Sequence, residues 1–288
     1  MIVDTLALVG TGLIGGSFAL ALKQSGAVRE VLGVGRNPGR LTVARELGLI
    51  DRAADWEQVG QADCILLALP VGETEAVLRQ LAPHLKPGAI VTDAGSTKAN
   101  VVAAARAALG ARFADFVPGH PIAGSEQSGP LAARADLYQG KKVVLTPQAD
   151  TRADALATVR ALWEAAGAQV ETLDAAQHDR VFAAVSHLPH LAAFALVDDL
   201  AQRADGDTFF RFAASGFRDF TRIAGSSPEM WRDIALANRE ALLTELDAYL
   251  DALQTLRQAV DQQDGAALLT IFSRARSARE NWMKKQDS

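Results

Sequence analysis

Cysteine is nearly absent: Cys64 stands alone in 288 residues, which excludes a disulfide framework and any zinc cluster built on thiolates. It sits inside an apolar run and reads as a small buried residue rather than a nucleophile. A reducing compartment, the cytoplasm, is the expected location. Positive charge is also in short supply, 29 Lys and Arg against 34 Asp and Glu for a net −5, so no global field draws nucleic acid or an anionic membrane. Any anionic ligand must be met by local groups. The start, Met1-Ile2-Val3-Asp4-Thr5, lacks the basic stretch of a signal peptide. The longest central apolar run, 191–197, is far below the ~20 residues of a membrane span. Neither export nor membrane insertion is expected. Solenoid repeats and low-complexity linkers are missing too, so the parts of the chain should meet in a packed interface.

A composition of 49% hydrophobic and 22% charged residues is that of a folded globular chain, and the length predicts two domains. Short β-branched runs at 5–9, 31–34, 64–69, 89–92 and 116–117 alternate with alanine-rich helical text, the mark of a parallel α/β sheet. Runs at 142–146 and 169–173 flank a helix near 153–166 and are expected to extend the same sheet. From Ala175 onward apolar residues recur at helical spacing, as in Leu236, Leu242, Leu243, Leu246, Leu250 and Leu253. Ser227 before Pro228 is an N-cap followed by proline at the first helical position, and Asp264 caps a last helix reaching toward Lys284. The expected division is therefore 1–174, α/β, and 175–288, all-helical. Wide apolar faces on long helices predict a homodimer through the helical part. Ligands of such sheets bind outside the carboxyl ends of the strands, where a helical domain closes a cleft.

Gly10-Thr11-Gly12-Leu13-Ile14-Gly15 follows the first strand and opens a helix near Leu13. This G-x-G-x-x-G in its strand–loop–helix setting is the phosphate loop of a Rossmann-type dinucleotide-binding domain, with the helix N-terminus supplying partial positive charge. NAD-binding versions place Asp or Glu at the end of the second strand; here the text is Val34-Gly35-Arg36-Asn37. Arg36, with Arg40 one turn behind, suits a 2′-phosphate, so NADP is favoured over NAD, while a solvated Arg36 is the bland alternative. Leu69 and Pro70 are expected to wall the nicotinamide pocket, although a strand-ending proline explains them equally well.

Two further strand ends carry dense polar text, Asp93-Ala94-Gly95-Ser96-Thr97-Lys98 and Pro118-Gly119-His120-Pro121-Ile122-Ala123-Gly124-Ser125-Glu126. The helical part adds His178-Asp179, Ser186-His187-Leu188-Pro189-His190, Phe217-Arg218-Asp219-Phe220-Thr221-Arg222-Ile223-Ala224 and Pro228-Glu229-Met230-Trp231-Arg232-Asp233-Ile234. From the glycine loop to about Asn238 the chain resembles the prephenate and arogenate dehydrogenases of tyrosine biosynthesis. The segments 118–126, 186–190 and 217–224 carry that resemblance.

The resemblance implies oxidative decarboxylation of a cyclohexadienol: hydride leaves the hydroxyl-bearing ring carbon, carbon dioxide is lost and the ring becomes aromatic. It makes His120 the catalytic base, a role for which an imidazole near neutrality is suited. Ser96 would bond the same hydroxyl or orient His120, unless Ser96 or Thr97 merely caps the following helix. Arg222 is the candidate for the ring carboxylate, with Arg218 in support and Asp219 holding an arginine in place. Phe217, Phe220 and Ile223 interleaved with them make a partly buried wall the expectation. The resemblance puts His190 in the substrate site, His187 in a structural or interdomain place and Glu126 near the pocket mouth. No metal is expected, since no cysteine or carboxylate cluster completes a set with His187 and His190. The tryptophans, Trp56, Trp163, Trp231 and Trp282, read as core or interface. With no chorismate mutase segment before the glycine loop and no room for an ACT domain after Asn238, a monofunctional enzyme is expected. The rivals are a β-hydroxyacid-type dehydrogenase, which would use a lysine of the helical domain, and a non-catalytic dinucleotide sensor.

Overall fold

The computed structural model describes residues 1–125 and 127–286. The chain forms two compact units, Met1–Arg239 and Glu240–Ser288.

In the first unit β1 (Val3–Val9), β2 (Val28–Val34), β3 (Arg52–Ala53), β4 (Cys64–Leu67), β5 (Ile90–Asp93) and β6 (Phe116–Val117) form a parallel sheet in the order β3-β2-β1-β4-β5-β6. Its inner strands are buried on both faces, hence their unbroken apolar text. Helices α1 (Leu13–Gln24), α2 (Pro38–Glu46), α3 (Trp56–Gly60), α4 (Thr74–Leu81), α5 (Ala99–Leu109) and α6 (Ala153–Ala165) cover it. One face packs around Phe18, Tyr138 and Trp163, the other around Leu78, Leu81 and Phe113. The order reverses between β1 and β4, so the loops leaving those two strands flank the crevice where ligands of such sheets bind.

The runs at 142–146 and 169–173 do not extend this sheet. They form β8 (Lys142–Leu145) and β9 (Gln169–Thr172) of a separate sheet ordered β7-β8-β9, where β7 is Gly119–Pro121. The reason lies at Pro118, which has no N–H for a ladder and turns the chain away after β6. Its carbonyl accepts from Thr146 N at 2.9 Å, and β7 then pairs antiparallel with β8, His120 opposite Val144.

The rest of the unit is helical: α7 (Ala175–Phe182), a π-helical turn (Ala183–His187), α8 (Leu188–Gln202), α9 (Gly206–Phe212), α10 (Ser215–Thr221) and α11 (Pro228–Ala237). Pro189 cannot donate to the helix, and the wide turn just before it absorbs the mismatch. Together 175–202 is a 28-residue helical run long and apolar enough, by length and composition, to cross a membrane. The longest uninterrupted apolar run within it is 191–197, as the sequence shows; the π turn joins two segments that the sequence presents as separate. Ser227 accepts from Met230 N at 3.3 Å as the cap of α11, as expected.

The second unit holds α12 (Arg239–Asp261) over most of its length and α13 (Gly265–Gln286), turned at Gln263 in the left-handed region (φ 54°) and capped by Asp264, which accepts from Ala267 N at 2.9 Å. Leu250, Val260, Leu269, Phe272 and Trp282 are exposed on these helices.

Candidate active site

The glycine loop is built as the spacing predicts. Gly10 has φ +99°, and a Cβ there would lie 2.2 Å from the Ala68 carbonyl oxygen; a Cβ on Gly15 would lie 2.3 Å from Gly10 O. Neither position admits a side chain. Gly12 faces open space and heads α1 with no side-chain cap and no acidic residue in the first turn, leaving its N–H groups to an anion. Tyr138 fixes this end of α1 by donating to Ile14 O at 2.6 Å.

Two adjoining cavities meet here. One, of about 900 Å³, is lined by Gly10, Thr11, Gly12, Arg36, Asn37, Arg40, Leu69 and Pro70 among others. A dinucleotide fits it: the loop offers bare amides, and no carboxylate stands at the end of β2. Arg36 is exposed and pairs with Glu73 at 2.7 Å, a surface ion pair that fits a solvated charge as well as one waiting for a phosphate. The other cavity, of about 750 Å³, brings Gly12, Leu13, Ile14, Leu69 and Pro70 together with Ser96 and His120 and with Ser226, Ser227 and Met230 of the helical part.

His120, half-buried on β7, places Nδ1 2.9 Å from Nε2 of the buried His178. His178 Nδ1 lies 2.8 Å from Asp179 Oδ1. That carboxylate also accepts from the backbone N–H of Lys98 at 2.7 Å and of Ala99 at 2.8 Å, capping α5 from another element. Neither Ser96 nor Thr97 caps the helix; Thr97 donates to Asn100 Oδ1 at 2.7 Å instead. Burial works to raise Asp179, but the bonds from His178, Ala99 and Lys98 prevail and hold it below the usual carboxylate range. Burial, followed by the charges of His178, Lys98 and His187, pushes His120 well below the ordinary histidine value, so at neutral pH it is an unprotonated base.

Beneath this row Lys98 is fully buried. Its ammonium is paired with Asp93 Oδ2 and donates to Gly119 O at 2.7 Å. Asp93 in turn accepts from Gly95 N at 2.8 Å and Gly119 N at 3.1 Å, tying the Ser96 loop to the strand that carries His120. Burial lowers Lys98, with Asp93 and Asp179 opposing.

His187 is buried; its Nδ1 is 3.1 Å from Asn238 Nδ2, which also donates to Asp179 O at 2.8 Å. Burial takes His187 down to about 4 against the pull of Asp179. His190 bonds Ser186 O through Nδ1 at 2.9 Å and stacks on Trp231 at 3.6 Å between centroids, and burial and the Arg222 charge lower it while the Ser186 bond raises it. Trp231 thus backs His190 as well as filling core. Arg218, Asp219 and Arg222 are exposed and line neither cavity. The expected buried wall is limited to half-buried Phe217 and Ile223, with Phe220 exposed, because the short α10 turns only one side toward α8. Glu126 lies outside the described residues. Lys98, Asp93, His178, Asp179 and Asn238 received no role from the sequence; the adjacent His178-Asp179 pair, one turn inside a capped helix, was the available signal.

A family model described as prephenate dehydrogenase, nucleotide-binding domain, matches residues 18–172, and one described as prephenate dehydrogenase, dimerization domain, matches 174–274. The chain belongs to the prephenate dehydrogenase family. Relatives in it include a cyclohexadienyl dehydrogenase of Zymomonas mobilis, 38% identical over 95% of this chain and 94% of its own. A prephenate dehydrogenase of Bacillus subtilis is 37% identical over 98% of this chain and 77% of its own. The solved prephenate dehydrogenase from Aquifex aeolicus, in complex with hydroxyphenyl propionate and NAD+, superimposes with TM-score 0.91 at 37% identity, covering 96% of this chain and 98% of that one. Membership in the prephenate dehydrogenase family makes this an NAD(P)-binding dehydrogenase with a small-molecule substrate.

Proposed function

We propose that the protein catalyses oxidative decarboxylation of prephenate, arogenate or both, giving 4-hydroxyphenylpyruvate or tyrosine. One observation carries this reading: a single cavity holds the glycine loop together with His120 and Ser96, so hydride acceptor and base meet at one carbon.

The nicotinamide, when bound, accepts the hydride. Gly10, Thr11, Gly12, Leu13, Ile14 and Gly15 hold the pyrophosphate end, and Leu69 and Pro70 wall the ring. His120 takes the hydroxyl proton as the ring C–O becomes a carbonyl; the ring–carboxylate bond then breaks, its electron pair aromatises the ring, and His120 returns the proton to the phenolate oxygen. Ser96 bonds the same oxygen. The family resemblance assigns the substrate's carboxylates to Arg222 and His190, which lie outside both cavity linings but close enough for the Arg222 charge to act on His190, with Arg218 and Asp219 in support, and His187 holds the helical wall to the sheet. For the cofactor we favour NADP, supported by Arg36, Asn37 and Arg40 in the cavity wall. A second reading, NAD, is favoured by Glu73, which takes up the Arg36 charge.

We infer a homodimer through the helical part; exposed Leu250, Leu269 and Phe272 and the match to a dimerization domain support it. A functional division near residue 174 is supported by the meeting point of the two family models. A cytoplasmic location is inferred from the single cysteine, Cys64, which leaves the chain without a disulfide framework. The test is direct: purified protein is assayed with prephenate and arogenate, each with NAD and NADP. Turnover of at least one pair is expected; reduction of neither cofactor with either substrate overturns the reading.

A further inference from the structure

An imidazole can abstract a proton only through a nitrogen that carries no hydrogen, and which nitrogen that is depends on the partner of the other. At this site the partners fix the answer from one end. Asp179 accepts the backbone N–H groups of Lys98 and Ala99, so it is an anchored carboxylate and only an acceptor. His178 Nδ1, 2.8 Å away, must therefore carry the hydrogen, which leaves His178 Nε2 with a bare lone pair. That lone pair faces His120 Nδ1 at 2.9 Å, and two bare nitrogens at that distance would repel. His120 Nδ1 must then be the protonated one, and Nε2, the ring nitrogen left to the cavity, is bare.

We propose that His178, held by Asp179, is a positioning residue that keeps His120 in the tautomer able to act as base and steadies the imidazolium formed when it does. The inference rests on the base role of His120 proposed above. Burial supports it: His178 is fully buried, its ring packed at 4.5 Å between centroids from Phe182, which also edges onto His120 at 4.9 Å. No water competes for the His120–His178 bond from the His178 side. On proton uptake at His120 Nε2 the positive charge is shared along the row toward the Asp179 carboxylate, two hydrogen bonds away.

The test has two arms. In protein labelled with ¹⁵N-histidine, with signals assigned by comparison with His120→Asn, His120 is expected to show a protonated, pyrrole-type Nδ1 and a bare, pyridine-type Nε2 at neutral pH. The reverse pattern overturns the proposal without any kinetic measurement. In the kinetic arm, His178→Phe keeps the ring packing but removes the acceptor, and is expected to lower kcat by roughly 10- to 100-fold with little change in KM. His178→Gln keeps an acceptor toward His120 and a donor toward Asp179, and is expected to recover most of the loss. Equal losses in both variants, or none in either, contradict the positioning role. If His178→Phe does not fold, the spectrum of the unmodified protein and the Gln variant still decide. Turnover surviving in His120→Asn would instead refute the base assignment, and leaves the tautomer to be judged by the spectrum alone.

Discussion

Lys98→Met removes a cation from a place where nothing can replace it. The ammonium is fully buried, paired to Asp93 and bonded to Gly119 O at 2.7 Å. Methionine fills a similar volume, so little cavity opens, and the loss falls on electrostatics. Asp93 keeps two backbone donors, Gly95 and Gly119, but has no counter-ion left in a site without solvent. Breaking a buried pair from one side costs about 3–5 kcal/mol, most of it the uncompensated charge. For a compact unit of this size that corresponds to roughly 6–20 °C in midpoint. Equilibrium urea unfolding of Lys98→Met, Asp93→Asn and the double variant measures it. The double variant is expected to regain at least about 1 kcal/mol over the sum of the singles, because two neutral groups no longer leave a charge stranded. A loss below about 1 kcal/mol in Lys98→Met, or strict additivity in the cycle, refutes the argument that the pair is dry and mutually dependent.

Cofactor choice responds to two residues: Arg36→Asp is expected to shift the kcat/KM ratio toward NAD by roughly 10- to 100-fold, the worth of a charge-assisted bond to phosphate, and Glu73→Gln, which frees Arg36, to shift it toward NADP. The pH profile of kcat/KM follows from the neutral base: activity is full above the His120 pKa and falls tenfold per unit below it, with the break lying under the ordinary 6.5, and a break at or above 6.5 contradicts the burial argument. His187 gives an acid limit on stability. Folded and unfolded forms are both neutral above about 6.5, the unfolded form binds a proton first as pH falls, and the loss of about 3 kcal/mol is complete near pH 4; in His187→Asn the midpoint should decline less over that window.

The nucleotide half was readable because each of its parts depends on local text. Gly10 and Gly15 have no room for a Cβ, the inner strands are apolar on both faces, and Ser227 and Asp264 cap their own helices. Pairing partners were not readable: the pattern of 142–145 says strand, but only the turn at Pro118 and the three-residue β7 decide which sheet it joins. The site shows the same divide. His120 stood out by its surroundings in the chain, whereas Asp179 acts on Lys98 and Ala99, about 80 residues away, and Lys98 reads as an ordinary surface lysine until its burial is seen. The stretch 217–224 divides in the same way: half-buried Phe217 and Ile223 give part of the wall that the interleaved apolar residues suggested, while Arg218, Asp219 and Phe220 lie exposed on a seven-residue helix with one packed side.

The central claim, that His120 performs the proton transfer in a site otherwise assembled to hold the dinucleotide and substrate, is tested most directly by His120→Asn. Dinucleotide affinity, measured by calorimetry, should match the unmodified protein, while kcat falls by about 10²- to 10⁴-fold. Turnover retained within a few-fold, with the dinucleotide still bound, would contradict it.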